Sequence, residues 1–356
     1  MAAPDRMNDL LAVPNPVDGD VRHARRRRRS KGFVAGLVIG GLLLVGGGGA
    51  AAYFGYRMSL DNNMERIDPF AEIDPSTRPS AEPVAGPTAP VNILVLGSDS
   101  RISAGDPDAW EAGAQRTDAI MLVHLSGDRK SAAAISIPRD SWVPIPGYGE
   151  AKINAAFSYG GPPLMIQTVE DLTGVRIDHF AVTDFESFMA LTDSLDGVEI
   201  TVPDGDGGSV RQAMTGEQAL AFTRERYALS NGDFGRVQRQ QAWMRAIVAK
   251  ANNSRSDPMT LARFLEAVTS SVAVDKELTF DRIQELFAGA GDISTNDITF
   301  MTAPYSGTGR SADGQSIVVL DRATFDPLMN AVAKDEVPDF LATNPDAMDV
   351  LPAVVQ

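Results

Sequence analysis

Val91-Asn92-Ile93-Leu94-Val95-Leu96-Gly97-Ser98-Asp99 is a short apolar run that stops at a glycine and delivers a carboxylate. A run apolar at successive positions, rather than at every second one, fits a strand covered on both faces. Ala119–Leu125 and Ser131–Ile137 read the same way, and Gly197–Val202, Ile298–Ala303 and Ser316–Leu320 are further strand candidates. Between them lie segments with helical patterning: Pro162–Thr173, Asp184–Leu195, Thr215–Arg226, Asp233–Asn252, Met259–Val272 and the stretch near Phe325–Ala333. Thr215 with Gln218 three residues on forms a capping box, and Asp257-Pro258 supplies an N-cap followed by proline at the first helical position. Alternating strands and helices imply an α/β protein, a layered α/β/α domain over residues 91–335 with a mostly buried sheet. Residues 336–356 read as a peripheral C-terminal tail.

Upstream the composition changes. Residues 1–21 are polar and rich in Pro and Asp; Arg22, the run Arg25 to Arg29 and Lys31 follow. Residues 1–31 therefore read as a basic cytoplasmic tail. Residues 32–56 carry no charge, enough length to cross a hydrocarbon core as one transmembrane helix. Positive charge on its N-terminal side predicts a cytoplasmic N-terminus, with Tyr53 and Tyr56 at the outer interface. Ala50-Ala51-Ala52 also resembles a signal-peptide cleavage site, and the paired arginines hint at twin-arginine export. The apolar stretch exceeds a typical signal-peptide core, which favours a retained anchor. Residues 57–90 hold Pro69, Pro75, Pro79, Pro83, Pro87 and Pro90 and read as a stiff extracytoplasmic linker.

The bulk numbers exclude several chemistries. The 356 residues contain no cysteine, so disulfides and thiolate metal sites are out. The histidines are His23, His124 and His179, too few for a His-rich zinc site. Oxygen ligands from aspartate remain, which favour magnesium or manganese. Residues 1–57 hold nine of the 32 Lys and Arg but only four of the 47 Asp and Glu. The acidic remainder gives no broad basic field for nucleic acid, yet its arginines gather in a few motifs.

Those motifs sit where predicted elements end. Asp99 follows a strand and Asp118 precedes one, so the two carboxylates are placed to share one magnesium. The plain alternative is that Asp99 caps a turn and Asp118 pairs with Arg116. Arg139 of Pro138-Arg139-Asp140 lies just past a strand's carboxyl end, where ligands collect in α/β sheets; an Arg139–Asp140 surface pair is the alternative. Arg224 and Arg226 point about 200° apart on a regular helix, so they share a ligand only if the helix stops there. Arginines near a helix C-terminus are also ordinary dipole partners. Asp233, Arg236 and Gln240 fall on one helix face, with Arg239 partly round from it; a solvated charged stripe would look the same. Lys152 follows the Pro/Gly-rich segment Pro144 to Gly149, read as a mobile loop able to cover a site, with Lys152 able to meet a phosphate; a plain surface lysine is the alternative.

Taken together, Asn92–Arg101, Arg116-Thr117-Asp118, Ser136–Asp140, Lys152-Ile153-Asn154, Arg224-Glu225-Arg226 and Asp233–Gln241 resemble the LytR-CpsA-Psr family. The resemblance implies an α/β/α domain enclosing an apolar tunnel for a polyprenyl chain, with the diphosphate among arginines at its mouth. Asp99 and Asp118 would then take magnesium, while Arg139, Arg224, Arg226 and Gln240 would hold the diphosphate; Arg116, Arg236 and Lys152 carry over less strongly. Arg139, Asp118 and Arg116 are the candidate catalytic residues. The loop 104–114 lies between the two metal-type aspartates. The implied activity moves a glycopolymer with its linking phosphate from a polyprenyl-pyrophosphate carrier to peptidoglycan, outside the cytoplasm. The alternatives are a pyrophosphatase acting on the same lipid and a non-enzymatic lipid-binding regulator of the envelope.

Overall fold

A computed structural model describes residues 54–80, 88–98, 117–225, 232–291 and 293–356. The chain divides into two compact units, Met1–Phe54 and Gly55–Gln356, and all the described strands belong to the second. A helix α1 (residues 54–63) leads into β1 (Glu65–Ile67), β2 (Val91–Ser98), β3 (Thr117–Leu125) and β4 (Ala132–Ser136). Then come the hairpin β5 (Trp142–Ile145) and β6 (Gly149–Lys152), α2 (Asn154–Thr173), β7 (His179–Thr183) and α3 (Phe185–Ser194). The hairpin β8 (Val198–Pro203) and β9 (Ser209–Met214) precedes α4 (Gly216–Arg224), α5 (Asp233–Asn253), α6 (Pro258–Ser271), β10 (Val272–Asp275) and α7 (Phe280–Gly289). The chain ends through β11 (Ile298–Thr302), the hairpin β12 (Tyr305–Arg310) and β13 (Ser316–Leu320), α8 (Arg322–Ala333), α9 (Val337–Thr343) and β14 (Asp349–Val350).

Eight strands form one mixed sheet in the order β1-β10-β7-β2-β3-β4-β11-β14. β2 runs parallel to β7 and β4 parallel to β11, while β3 is antiparallel to both of its neighbours. The carboxyl ends of β2, β4, β7 and β11 therefore share one edge with the start of β3.

The central strands are apolar at successive positions because both faces are covered. Leu94, Leu96, Ile120, Leu122 and Ile135 pack on one side against Phe157 and Met165 of α2 and Phe325 and Leu328 of α8. The intervening Val95, Met121, Ala134 and Phe300 pack on the other against Leu191 of α3, Ala219 of α4, and Trp243 and Ile247 of α5. Each such side chain contributes roughly 1.5–3 kcal/mol when fully buried, so the sheet's register is fixed from both sides. This is a mixed α/β fold with a central mixed sheet and helices on both faces.

The structure corrects several expectations. The described part of residues 57–90 does not act simply as a linker: β1 pairs with β10, and Arg78 donates to the buried Glu170 at 2.7 Å while its guanidinium lies over the Phe70 ring. The apolar and ionic contacts of this segment outweigh its proline content. The tail 336–356 is not peripheral, since β14 pairs with β11 and Leu351 and Val355 are buried. The Pro144–Gly149 segment is the β5–β6 hairpin, with glycines 147 and 149 supplying the positive φ its turn requires. Helix α2 begins at Asn154, ahead of Pro162, and absorbs Gly160-Gly161 as a kink.

Of the expected transmembrane helix, residues 32–53 lie outside the described residues, as does the basic tail. Among the described residues no helix is long and apolar enough to cross a membrane.

Candidate active site

The shared sheet edge gathers the charged motifs. Thr117 pairs with Ser98, so Asp118 starts β3 beside the end of β2. Arg139 leaves the end of β4, and the amide of Asn154 donates to its carbonyl at 3.2 Å, closing the β5–β6 excursion back onto the same point. Helix α4 opens with the expected capping box, Thr215 N–H donating to Gln218 Oε1 at 3.0 Å. It stops at Arg224, because Glu225 is extended. The helix thus ends where a ligand shared by Arg224 and Arg226 requires it to end. Arg226, like Asp99, Arg101, Arg116 and the loop 104–114, lies outside the described residues.

Asp118, Arg139, Asp233 and Arg236 form one ionic cluster. Arg139 is hydrogen-bonded through Nη1 to Asp118 Oδ1, and its Nη2 stands 3.7 Å from Asp233 Oδ1. Arg236 Nη2 lies 2.9 Å from Asp233 Oδ1, and its Nη1 lies 4.0 Å from Asp118 Oδ1. Each carboxylate therefore sits between the same two guanidiniums. The arginines are well withdrawn from solvent, with side chains 17% and 7% exposed, so their fields are weakly screened. Arg139 Nε is buried and, among the described residues, has no hydrogen-bond partner.

Behind this cluster opens a cavity of about 340 Å³. Its mouth carries Asp118, Arg139, Arg224, Arg236 and Gln240; its walls are Val95, Met121, Phe188, Leu220, Trp243 and Met244. The walls come from the sheet on one side and α3, α4 and α5 on the other. The lining thus sets guanidinium donors beside an apolar surface. Lys152 is not part of the lining: its Nζ pairs with Asp140 Oδ1 at 3.2 Å.

Reading residues one motif at a time does not find Asp184, which lines the cavity at the end of β7 while capping α3 through Ser187 N–H at 2.9 Å. Its signal was present: an aspartate directly after an apolar run. The wall residues Phe188, Trp243 and Met244 carry no local signal, since aromatic and aliphatic residues on a helix face read as core.

Magnesium suits the donor chemistry, since Asp118 offers hard oxygens and such ions commonly take only one or two carboxylates beside phosphate oxygens. Among the described residues no group of three or more acidic or histidine side chains gathers as a metal cage.

Residues 58–334 match the LytR_cpsA_psr family. The chain is 29% identical over 277 residues to the cell wall biosynthesis protein LcpA of Corynebacterium glutamicum, covering 65% of this chain and 53% of that protein. It is 34% identical over 201 residues to the polyisoprenyl-teichoic acid–peptidoglycan teichoic acid transferase TagU of Bacillus cereus, covering 54% and 62%. The matches thus span between about half and two thirds of these relatives' lengths. Among solved structures it shares the fold of TagT bound to LIIa-WTA, with a TM-score of 0.59 at 24% identity, over 76% of this chain and 99% of that one.

Proposed function

The chain belongs to the LytR_cpsA_psr family, and from that premise we propose that it is a membrane-anchored, extracytoplasmic phosphotransferase. It moves a glycopolymer with its linking phosphate from a polyprenyl-diphosphate carrier to peptidoglycan. The observation that carries this reading is the continuity of the guanidinium mouth with an apolar cavity, which matches a lipid diphosphate at both ends. The similarity to TagU, a teichoic acid transferase to peptidoglycan, supports this class of reaction, and that to LcpA, a cell wall biosynthesis protein, supports the same process.

In this reading the polyprenyl chain enters between Met121, Leu220, Trp243 and Met244, and the diphosphate rests on Arg139, Arg224, Arg236 and Gln240. A hydroxyl of the acceptor strand attacks the phosphorus nearest the glycopolymer and polyprenyl phosphate departs. The hydroxyl proton passes to solvent as the phosphodiester forms, since Asp118 is held by Arg139. Phosphoryl transfer asks mainly for positioning and charge stabilisation, which fixed guanidiniums in a partly desolvated mouth supply. Asp118 and Asp99 would hold a magnesium ion, which would neutralise charge on the diphosphate.

The test is product analysis by mass spectrometry after incubating the protein with magnesium, a short polyprenyl-diphosphate glycan and soluble peptidoglycan strands. Glycosyl phosphate on the strand is the expected product. Free glycosyl phosphate alone would mean a pyrophosphatase, and an untouched carrier would mean a binding protein.

A further inference from the structure

Helix α5 presents two separate stripes in its first two turns. Asp233, Arg236 and Gln240 serve the mouth, whereas Phe234 and Gln238, four residues apart, form a neighbouring stripe. The Phe234 ring lies flat on Tyr305, with centroids 4.1 Å apart and planes within 7°. Neither ring belongs to the hydrophobic core clusters, and both residues keep part of their surface in solvent.

Tyr305 is locked to the same sheet edge as Arg139. The amide of Ala303 donates to Ser136 O at 2.8 Å, so Tyr305 and Arg139 leave adjacent strands spaced about 5 Å apart. Val318 of β13 also donates to the carbonyl of Asp140 at 2.8 Å. Beside the rings stand polar partners: Gln238 Nε2 lies 3.4 Å from Asp349 Oδ1. Asp349 pairs with Thr302 at the end of β11, three residues before Tyr305, and burial followed by this carboxylate raises the Tyr305 hydroxyl above its ordinary pKa.

We propose that Phe234 and Tyr305, flanked by Gln238 and Asp349, form a pyranose subsite next to the phosphate mouth. The inference rests on the transferase reading and names where its sugar sits. The C–H face of a sugar ring is apolar and meets the electron-rich faces of aromatic rings, while its hydroxyls need a carboxylate and an amide at the margin. The sugar is either the first ring of the transferred glycan or a ring of the acceptor strand.

The test measures binding of three probes to full-length protein in detergent micelles: farnesyl diphosphate, the same diphosphate carrying one N-acetylglucosamine, and a soluble tetrasaccharide of N-acetylglucosamine and N-acetylmuramic acid. Phe234→Ala and Tyr305→Ala should weaken a sugar-bearing probe about tenfold while leaving farnesyl diphosphate within about twofold, and Tyr305→Phe should restore binding. Loss confined to the glycosyl diphosphate assigns the subsite to the donor; loss on the tetrasaccharide assigns it to the acceptor. Equal weakening of all three probes, or no weakening of either sugar-bearing one, overturns the proposal. Failure of the unaltered protein to bind farnesyl diphosphate would instead sink the transferase reading, with the tetrasaccharide still testing the subsite.

Discussion

Arg139 at the end of β4 clasps Asp118 at the start of the neighbouring strand β3. The pair, shared with Arg236 and Asp233, holds each guanidinium in place before any anion arrives, so a diphosphate meets donors that need little rearrangement. That preorganisation is what makes the cluster suited to stabilising charge in a transition state.

Arg139→Ala should therefore lower transfer by roughly 10²–10³-fold, the range for losing one preorganised donor. Asp118 keeps Arg236 nearby, so the thermal midpoint should move only modestly. Initial-rate assays beside a melting curve check both; a large fall in stability would mean that the arginine is chiefly structural.

Leu220→Trp narrows the apolar cavity without touching the mouth. The account predicts a higher KM for a long polyprenyl carrier and a smaller effect on a short one. Equal kinetics with both carriers would mean that the chain lies elsewhere.

Arg78→Ala should destabilise the protein by about 3–5 kcal/mol, because it strands the charge of Glu170, which is 1% exposed. Replacing both with apolar residues, Arg78→Met with Glu170→Leu, should recover most of that loss. Urea unfolding measures both. An unaffected single variant would show that residues 65–80 are not part of the folding unit.

Asp178 gives a pH-dependent prediction. Burial raises its carboxyl above the ordinary range, only partly offset by the Asn92 N–H and by His179, Arg176 and Arg78. The native state then binds this proton more tightly than the unfolded chain, so its stability contribution declines as pH rises from the ordinary value through the native one. The stability of the unaltered protein relative to Asp178→Asn should fall as pH rises above the ordinary carboxylate value of about 4. A rise there would reverse the assignment.

Much of this was legible in the chain. Strands β2, β3 and β4 announced themselves because burial on both faces leaves an unbroken apolar run, and the caps at Thr215 and Asp257 announced α4 and α6. The β5–β6 hairpin was hidden because Pro144, Gly147 and Gly149 are the residues of loops as well as of tight turns. β1 and β14 are too short for periodicity, and their places depend on partners distant in the chain, as in the pairs Glu65–Ala273 and Met301–Val350. The site arginines were visible at element ends. The sharing of Asp118 and Asp233 between Arg139 and Arg236 was not, since it follows from the packing of α5 beside the end of β4.

The most direct test is a crystal structure of the protein with a short-chain prenyl diphosphate. The account predicts the diphosphate against Arg139, Arg224 and Arg236, with the prenyl chain along Met121, Leu220 and Trp243. A ligand bound away from these guanidiniums, or with its chain outside the cavity, would contradict it.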